Sequence, residues 1–172
     1  MRNLRDVDNA RKEELTRLVE QHQASLLALC YAFLHDRELA RDAVQNTFLR
    51  AYQALGTFRG DSSMKTWLTS IAMNECRSLR RSAWFSRVKR TAQPVEPSAV
   101  QEDLDMDAAD LSAAIQRLPE KLKTAVLLYY FQELTLQEAA IIIGVTPSMV
   151  SRRIRKAHAM LRDALGKEYL HG

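Results

Sequence analysis

Apolar residues in the first half of the chain recur at three- and four-residue steps, the spacing that places them on one face of an α-helix. This pattern predicts a first helix over about residues 11–35 and a second over about residues 39–55. A third helix is predicted from Met64 to about Ala83. The apolar positions of the third helix that should face a core are Trp67, Leu68, Ile71, Ala72 and Leu79.

The segments between these helices carry residues that end or begin helices. A polar break at residues 35–37 separates the first helix from the second. Gly56 is predicted to end the second helix in a left-handed conformation. The loop after it offers three N-cap residues for the third helix, Asp61, Ser62 and Ser63.

The same helical spacing returns in the last third of the chain. One helix is predicted over Leu111–Leu118, and Pro119 is placed to start the next. That next helix should span Lys121–Phe131. Its apolar stripe consists of Leu122, Val126, Leu127 and Phe131.

The sharpest local pattern is a helix-turn-helix after residue 134. Ala140 is small enough to let two helices approach, and Gly144 permits a left-handed turn between them. Val150 can pack the second helix back against the first. Thr146 can cap that second helix, and Pro147 suits its first turn.

Charge is segregated along the chain, although the net charge is only +4. Every ionisable residue from Arg77 to Arg90 is basic, and every one from Gln93 to Asp110 is acidic. The acidic stretch also contains Pro94 and Pro97, and its composition is typical of a tether.

These patterns together predict the fold class. With five Gly and four Pro in 172 residues, the composition favours helix nearly throughout. We expect an all-α protein with two small helical domains, residues 1–85 and 109–172, joined by a flexible acidic linker at residues 86–108.

Several classes of protein are not favoured by the sequence. No apolar run approaches the roughly 18 residues of a membrane helix, and the charged N-terminus lacks a secretory signal, so we expect a cytoplasmic protein without membrane insertion. Cys30 and Cys76 are predicted to be reduced core residues. The four His share no ligand-like spacing, so no metal or other cofactor is expected.

Two parts of the chain resemble known protein segments. ELARDAVQNTFLRAYQAL (Glu38–Leu55) and FRGDSSMKTWLTSIAMNECRSLRR (Phe58–Arg81) resemble region 2 of extracytoplasmic-function (ECF) sigma factors of the sigma-70 class. Residues Leu118–Leu165, which contain the helix-turn-helix, resemble their region 4. The resemblance implies a sigma factor, with a first module that binds the polymerase β′ clamp helices and the minus-10 element. It implies a second module that binds the β flap and the minus-35 element, and an anti-sigma factor as a further partner.

The polymerase contact implied by this resemblance lies on the second helix. Four residues spaced three or four apart fall opposite the stripe of Val44, Phe48 and Ala51. Many family members have Glu at the position of Asn46, which affects one polar contact. The predicted polymerase-binding residues are Asp42, Gln45, Asn46 and Leu49.

The minus-10 contacts implied by the resemblance lie in the loop after Phe58 and along the third helix. The loop offers backbone amides and hydroxyl groups to a base edge, and the helix offers amide and phosphate contacts. Trp84 and Phe85 either stack on DNA or close the edge of the module. The predicted minus-10 residues are Arg59, Gly60, Asp61, Ser62, Ser63, Lys65, Asn74, Arg77, Arg80 and Arg81.

The outer face of the second helix of the helix-turn-helix is predicted to enter a major groove. Arg152 and Arg155 are the candidates for reading bases, because Arg can contact guanine bidentately. Arg153 and Lys156 are the candidates for phosphate contacts. The full predicted minus-35 set is Ser148, Met149, Ser151, Arg152, Arg153, Arg155 and Lys156.

Two other functions are alternatives to this one. A helix-turn-helix regulator that binds an operator without polymerase would leave residues 42–55 and 58–81 unexplained. An enzyme such as a small nuclease could use the carboxylates of Asp36, Glu38 and Asp42. No phosphate-binding loop, metal-ligand set or nucleophile–base pair accompanies them, so no catalytic residue is predicted.

Overall fold

The computed structural model describes residues 3–89 and 106–166, and every regular element within those ranges is helical. A 3₁₀ turn at Leu55–Thr57 follows the second helix, and a π-helical segment at Leu127–Phe131 follows the fifth. The α-helices are α1 (Leu4–Leu34), α2 (Arg37–Ala54), α3 (Met64–Lys89), α4 (Met106–Arg117), α5 (Glu120–Val126), α6 (Leu136–Ile143) and α7 (Pro147–Leu165).

The chain divides into two compact units, Met1–Ser86 and Arg87–Gly172. Most of the predicted linker, residues 90–105, lies outside the described residues. Residues 86–89 and 106–108, which the sequence also assigned to the linker, belong to α3 and α4. The all-α prediction with two helical domains is confirmed.

In unit 1, α1 packs along α2 after the predicted polar break. His35 ends α1 in the left-handed region, and the Asp36 carboxylate caps α2 by accepting a hydrogen bond from the Leu39 N–H at 3.0 Å. Helix α1 starts about seven residues earlier than predicted. Its polar first turns are tied to α2 by the Tyr52 hydroxyl, which donates to Asp8 at 2.6 Å. A contact of this kind leaves no apolar periodicity in the sequence.

The prediction for Gly56 was wrong. This residue lies within the 3₁₀ turn and is not among the residues with positive φ, so α2 does not end in a left-handed glycine. A β-carbon at this position would lie 2.5 Å from Arg11 Nη2. Nη2 is the far end of a flexible side chain that can move aside, so neither close packing nor backbone handedness accounts for this glycine.

Helix α3 begins at Met64 as predicted and contributes a buried face to unit 1. Leu68 and Ala72 are fully buried, whereas Trp67, Ile71 and Leu79 are half-buried. Cys30 and Cys76 are free and buried, as predicted. A hydrogen bond with Cys30 and burial both raise the pKa of the Cys76 thiol, so it stays protonated.

An ion pair joins α2 to α3 within unit 1. The Glu75 carboxylate is buried and pairs with the exposed guanidinium of Arg50. Arg50→Met should lower the free energy of unfolding by roughly 1–3 kcal/mol, because it leaves a buried carboxylate without this partner. Urea unfolding measures the loss. Adding Glu75→Gln should restore most of it, and a double variant as unstable as Arg50→Met would contradict the explanation.

In unit 2, α7 packs against α4, α5 and α6. The prediction that Phe131 is buried was wrong. After Val126 the chain forms a π-helical turn, in which the Gln132 N–H donates to the Leu127 carbonyl five residues back, at 3.2 Å. The wider turn shifts the register, so Gln132 is 2% exposed while Phe131 is 49% exposed.

Candidate functional site

The outer face of α2 carries the predicted polymerase contacts at the surface of unit 1. Asp42, Gln45 and Leu49 are exposed, and Asn46 is half-buried. Leu49 is 56% exposed, the largest exposure of any apolar side chain on α2. These residues lie opposite the buried stripe, as the helical spacing predicted.

An apolar groove of about 430 Å³ runs beside this face. The residues that line it include Leu15 and Leu27 of α1 and Val44, Phe48 and Leu49 of α2. Leu15 belongs to the apolar pattern that predicted the first helix, and the sequence indicated no role for Leu27. Both residues line the groove because of how α1 packs on α2, and a local sequence pattern does not predict that packing. An exposed leucine at an apolar groove fits the anchor of a protein–protein contact.

The loop before α3 holds a different set of groups. Gly60 has φ 74°, and Arg59 and Asp61 are exposed. Ser63 is used by the fold, since its Oγ accepts a hydrogen bond from the Thr66 N–H at 3.1 Å. The Ser62 hydroxyl donates to the Ser63 carbonyl at 3.4 Å. Of the three predicted N-caps, Ser63 is therefore the one that caps α3.

Helix α3 separates its predicted contacts into two groups. Asn74, Arg77 and Arg81 share one face at steps of three and four residues, with Asn74 and Arg81 exposed and Arg77 half-buried. Arg80 instead lies over the Phe33 ring, with its guanidinium carbon 5.0 Å from the ring centroid. Lys65 is half-buried near His22, and burial together with the Lys65 charge lowers the pKa of His22. Arg80 thus packs on a core residue of unit 1.

The helix-turn-helix of unit 2 has the predicted geometry. Ala140 and Val150 are buried, and Gly144 ends α6 at φ 78°. Thr146 caps α7 by accepting a hydrogen bond from the Met149 N–H at 3.3 Å, and Pro147 is the first residue of α7. A capping box of Thr135 and Glu138 starts α6, which the sequence analysis had not identified.

The outer face of α7 presents a basic surface. Arg152, Arg155 and Lys156 are exposed and lie opposite the buried residues Val150, Ile154, Ala157 and Leu161. Ser148 is exposed near the start of the helix, Met149 is 39% exposed, and Ser151 is half-buried. Arg153 is half-buried and lies to one side of this face. No acidic residue interrupts the sequence from Pro147 to Arg162, so the helix can face a polyanion.

Gly144→Ala should lower the free energy of unfolding of unit 2 by about 1–2 kcal/mol. A β-carbon there would meet nothing within 4 Å, so the loss comes from the left-handed backbone alone. Gly144→Asn is the matched control, since Asn tolerates this conformation better. Equal losses for the two variants in urea unfolding would contradict this explanation.

Three aromatic side chains of unit 2 form an exposed cluster that the sequence analysis missed. Tyr129, Tyr130 and Phe131 are 37%, 49% and 49% exposed. The Tyr130 hydroxyl lies 2.8 Å from Nε2 of His158 on α7. All three lie in the π-helical turn, which the α-helical spacing of the sequence does not predict.

Within residues 3–89 and 106–166, no group of three or more His, Cys, Asp or Glu side chains is placed to hold a metal ion. No helix in those ranges is long and apolar enough to cross a membrane.

Comparison with known proteins relates both units to transcription. The family model for Sigma-70 region 2 matches residues 18–86, and that for Sigma-70, region 4 matches residues 108–161. The RNA polymerase sigma-H factor of Pseudomonas aeruginosa is 30% identical over 92% of this chain and 90% of its own length. The RNA polymerase sigma factor SigV of Bacillus subtilis is 28% identical, with 92% of this chain and 95% of that protein covered.

Two solved structures share the fold. The sigma factor RpoE from Bartonella quintana, solved with the anti-sigma factor NepR, has a TM-score of 0.70 at 24% identity and covers 90% of this chain and 95% of its own. CnrH, solved with the cytosolic domain of CnrY, has a TM-score of 0.70 at 24% identity and covers 91% of this chain and 90% of its own.

Proposed function

The chain belongs to the sigma-70 family as an ECF RNA polymerase sigma factor, and from this premise we propose how its two units divide the work of promoter recognition. Its function is to bind core polymerase and direct promoter-specific initiation. Unit 1 binds the β′ clamp helices through the α2 face and binds the separated DNA strand of the minus-10 element along α3. Unit 2 binds the β flap and reads the minus-35 element with α7.

One observation carries this division: the exposed leucine face of α2 and the basic outer face of α7 lie on different units of one chain. A polymerase contact needs an apolar anchor with polar neighbours, which Leu49, Asp42 and Gln45 supply. A DNA contact needs basic groups that meet phosphates and base edges, which Arg152, Arg155 and Lys156 supply. A protein that binds only an operator has no use for the first surface.

Strand separation at the minus-10 element follows from capture of unpaired bases. The captured bases must be held out of the stack at a cost of a few kcal/mol each. The loop around Gly60 and the face of Asn74, Arg77 and Arg81 offer amides, hydroxyls and cations for that purpose. Sigma factors are initiation factors, and we assign this chain no catalytic group of its own. We also propose that it acts in the cytoplasm, beside the polymerase.

Transcription in vitro tests the proposal. Core polymerase supplied with the full chain should initiate at discrete sites on genomic DNA, and sequencing the transcripts should give a shared minus-35 and minus-10 pair. Core polymerase alone is the control. No added initiation, together with tight binding of the isolated chain to duplex DNA, would favour the operator-binding regulator instead.

We further propose that an anti-sigma protein holds this chain inactive. Of the two structural neighbours, RpoE was solved with the anti-sigma factor NepR, and CnrH with the cytosolic domain of CnrY. An inhibitor that covers the α2 face would block the same anchor that polymerase uses. Core polymerase and the inhibitor should then bind a labelled sample of the chain in a mutually exclusive way. A ternary complex of the three would contradict this proposal.

A further inference from the structure

The last turns of α3 carry an apolar surface that lies apart from the core of unit 1. Trp84 and Phe85 are each 59% exposed, and Val88 is 58% exposed. At about 100° of rotation per residue, these side chains lie roughly 100–160° around the helix from the line of buried Ala72 and Cys76. The helix thus has a second apolar stripe, apart from its buried line.

This stripe continues the face that carries the proposed minus-10 contacts. Asn74, Arg77 and Arg81 precede Trp84 at steps of three and four residues, so all four lie along one side of α3. Arg81 is exposed and comes one turn before the aromatic pair. From Asn74 to Phe85 the surface extends about 16 Å at 1.5 Å per residue.

The charge of this helix end indicates the chemistry of its partner. No acidic residue occurs between Glu75 and Glu96, whereas five of the residues from 77 to 89 are Arg or Lys. A basic helix with exposed aromatic rings is complementary to a strand that offers phosphates and unstacked bases. A purely apolar protein groove would leave these cations without a match.

The arrangement of the two rings leaves aromatic surface open. Their centroids are 5.1 Å apart and their planes meet at 77°, an edge-to-face pair. In such a pair one ring presents only its edge to the other, so its two faces are not covered by its partner. The contact between the two rings fixes their positions and leaves ring faces available for a base to stack on.

We propose that Trp84 and Phe85 form a stacking platform for an unpaired base of the opened promoter strand, at the end of the face of Asn74, Arg77 and Arg81. The proposal rests on the proposed function, because it requires strand opening by this chain in holoenzyme. It adds a binding element for single-stranded DNA beyond the predicted minus-10 residues.

The test uses holoenzyme made from core polymerase and the full chain, on a promoter with a pre-melted segment. Trp84→Ala and Phe85→Ala should each shorten the lifetime of the complex about five- to hundredfold, the range for one base–aromatic stack. Trp84→Phe keeps an aromatic face and should retain most of the lifetime. Val88→Ala is the matched control, since it removes equally exposed apolar surface without a ring, and it should change little.

Affinity for core polymerase, measured in parallel, should be the same for all four variants. An unchanged lifetime for Trp84→Ala and Phe85→Ala would overturn the platform. Weaker core binding by Val88→Ala and Trp84→Ala alike would overturn it too, since the stripe would then dock a protein. Failure of the wild-type chain to initiate would instead refute the proposed function.

Discussion

Leu49→Asp is expected to abolish binding to core polymerase while unit 1 stays folded. Leu49 is 56% exposed on α2, so a carboxylate there meets water in the free protein. In the proposed complex the same side chain is buried as the anchor beside the α1–α2 groove. Loss of such an anchor costs roughly 2–4 kcal/mol, about 30- to 1000-fold in affinity, and burying an unpaired carboxylate adds to that loss.

Leu4→Asp is the matched control for this substitution. Leu4 is 87% exposed on the same unit and lies in the first turn of α1, where a carboxylate is compatible with the helix dipole. Both variants should unfold at the same urea concentration as the wild type. Retained core binding by Leu49→Asp, or equal loss in Leu4→Asp, would show that polymerase does not use the α2 face.

The sequence predicted most of the helices because their apolar spacing is local. The start of α3 at Met64 and the Ala140, Gly144 and Val150 set of the helix-turn-helix are examples, since each depends on one residue's size or backbone freedom. The predictions failed where the backbone departs from a regular α-helix. Gly56 lies in a 3₁₀ turn after α2, and Phe131 is exposed by a π-helical turn.

In the candidate surfaces, helical spacing predicted which residues share a face of one helix, but not which residues of different helices lie together. Helical periodicity alone placed Asp42, Gln45 and Leu49 on one exposed face. It could not show that Leu27 of α1 lines the adjoining groove, nor that Arg80 lies over Phe33 and off the face of Asn74, Arg77 and Arg81. Residues chosen by charge therefore need packing information before they are assigned to DNA.

Replacing both Arg152 and Arg155 by Ala should remove recognition of the minus-35 element. Each Arg is exposed on the outer face of α7, and a bidentate contact to guanine is worth roughly 1–3 kcal/mol. The pair should therefore weaken promoter binding by roughly 2–6 kcal/mol if the contacts are independent. Core affinity should not change, because the outer face of α7 is proposed to meet DNA and the proposed anchor Leu49 lies on α2.

Arg162→Ala is the control that removes a positive charge of α7 without removing a proposed base contact. Arg162 is exposed on α7 about 15 Å beyond Arg152, away from the helix start that is proposed to contact base edges. Its loss should weaken binding uniformly on every sequence and lower the salt dependence by about one charge.

The single substitutions then show whether each arginine reads a base or contacts a phosphate, because only the loss of a base contact depends on the DNA sequence. Arg152→Ala should lose its effect when one particular base pair of the minus-35 element is changed, because that contact is already absent. The measurement is holoenzyme affinity for a panel of single-base promoter variants at several salt concentrations. Removing a base-reading residue should weaken binding to every promoter of the panel except the variants at its own base pair, whereas Lys156→Ala should weaken binding to all of them equally. A uniform loss for Arg152→Ala and Arg155→Ala as well would make both residues phosphate contacts, and the reading of bases would then have to come from Ser148, Met149 and Ser151.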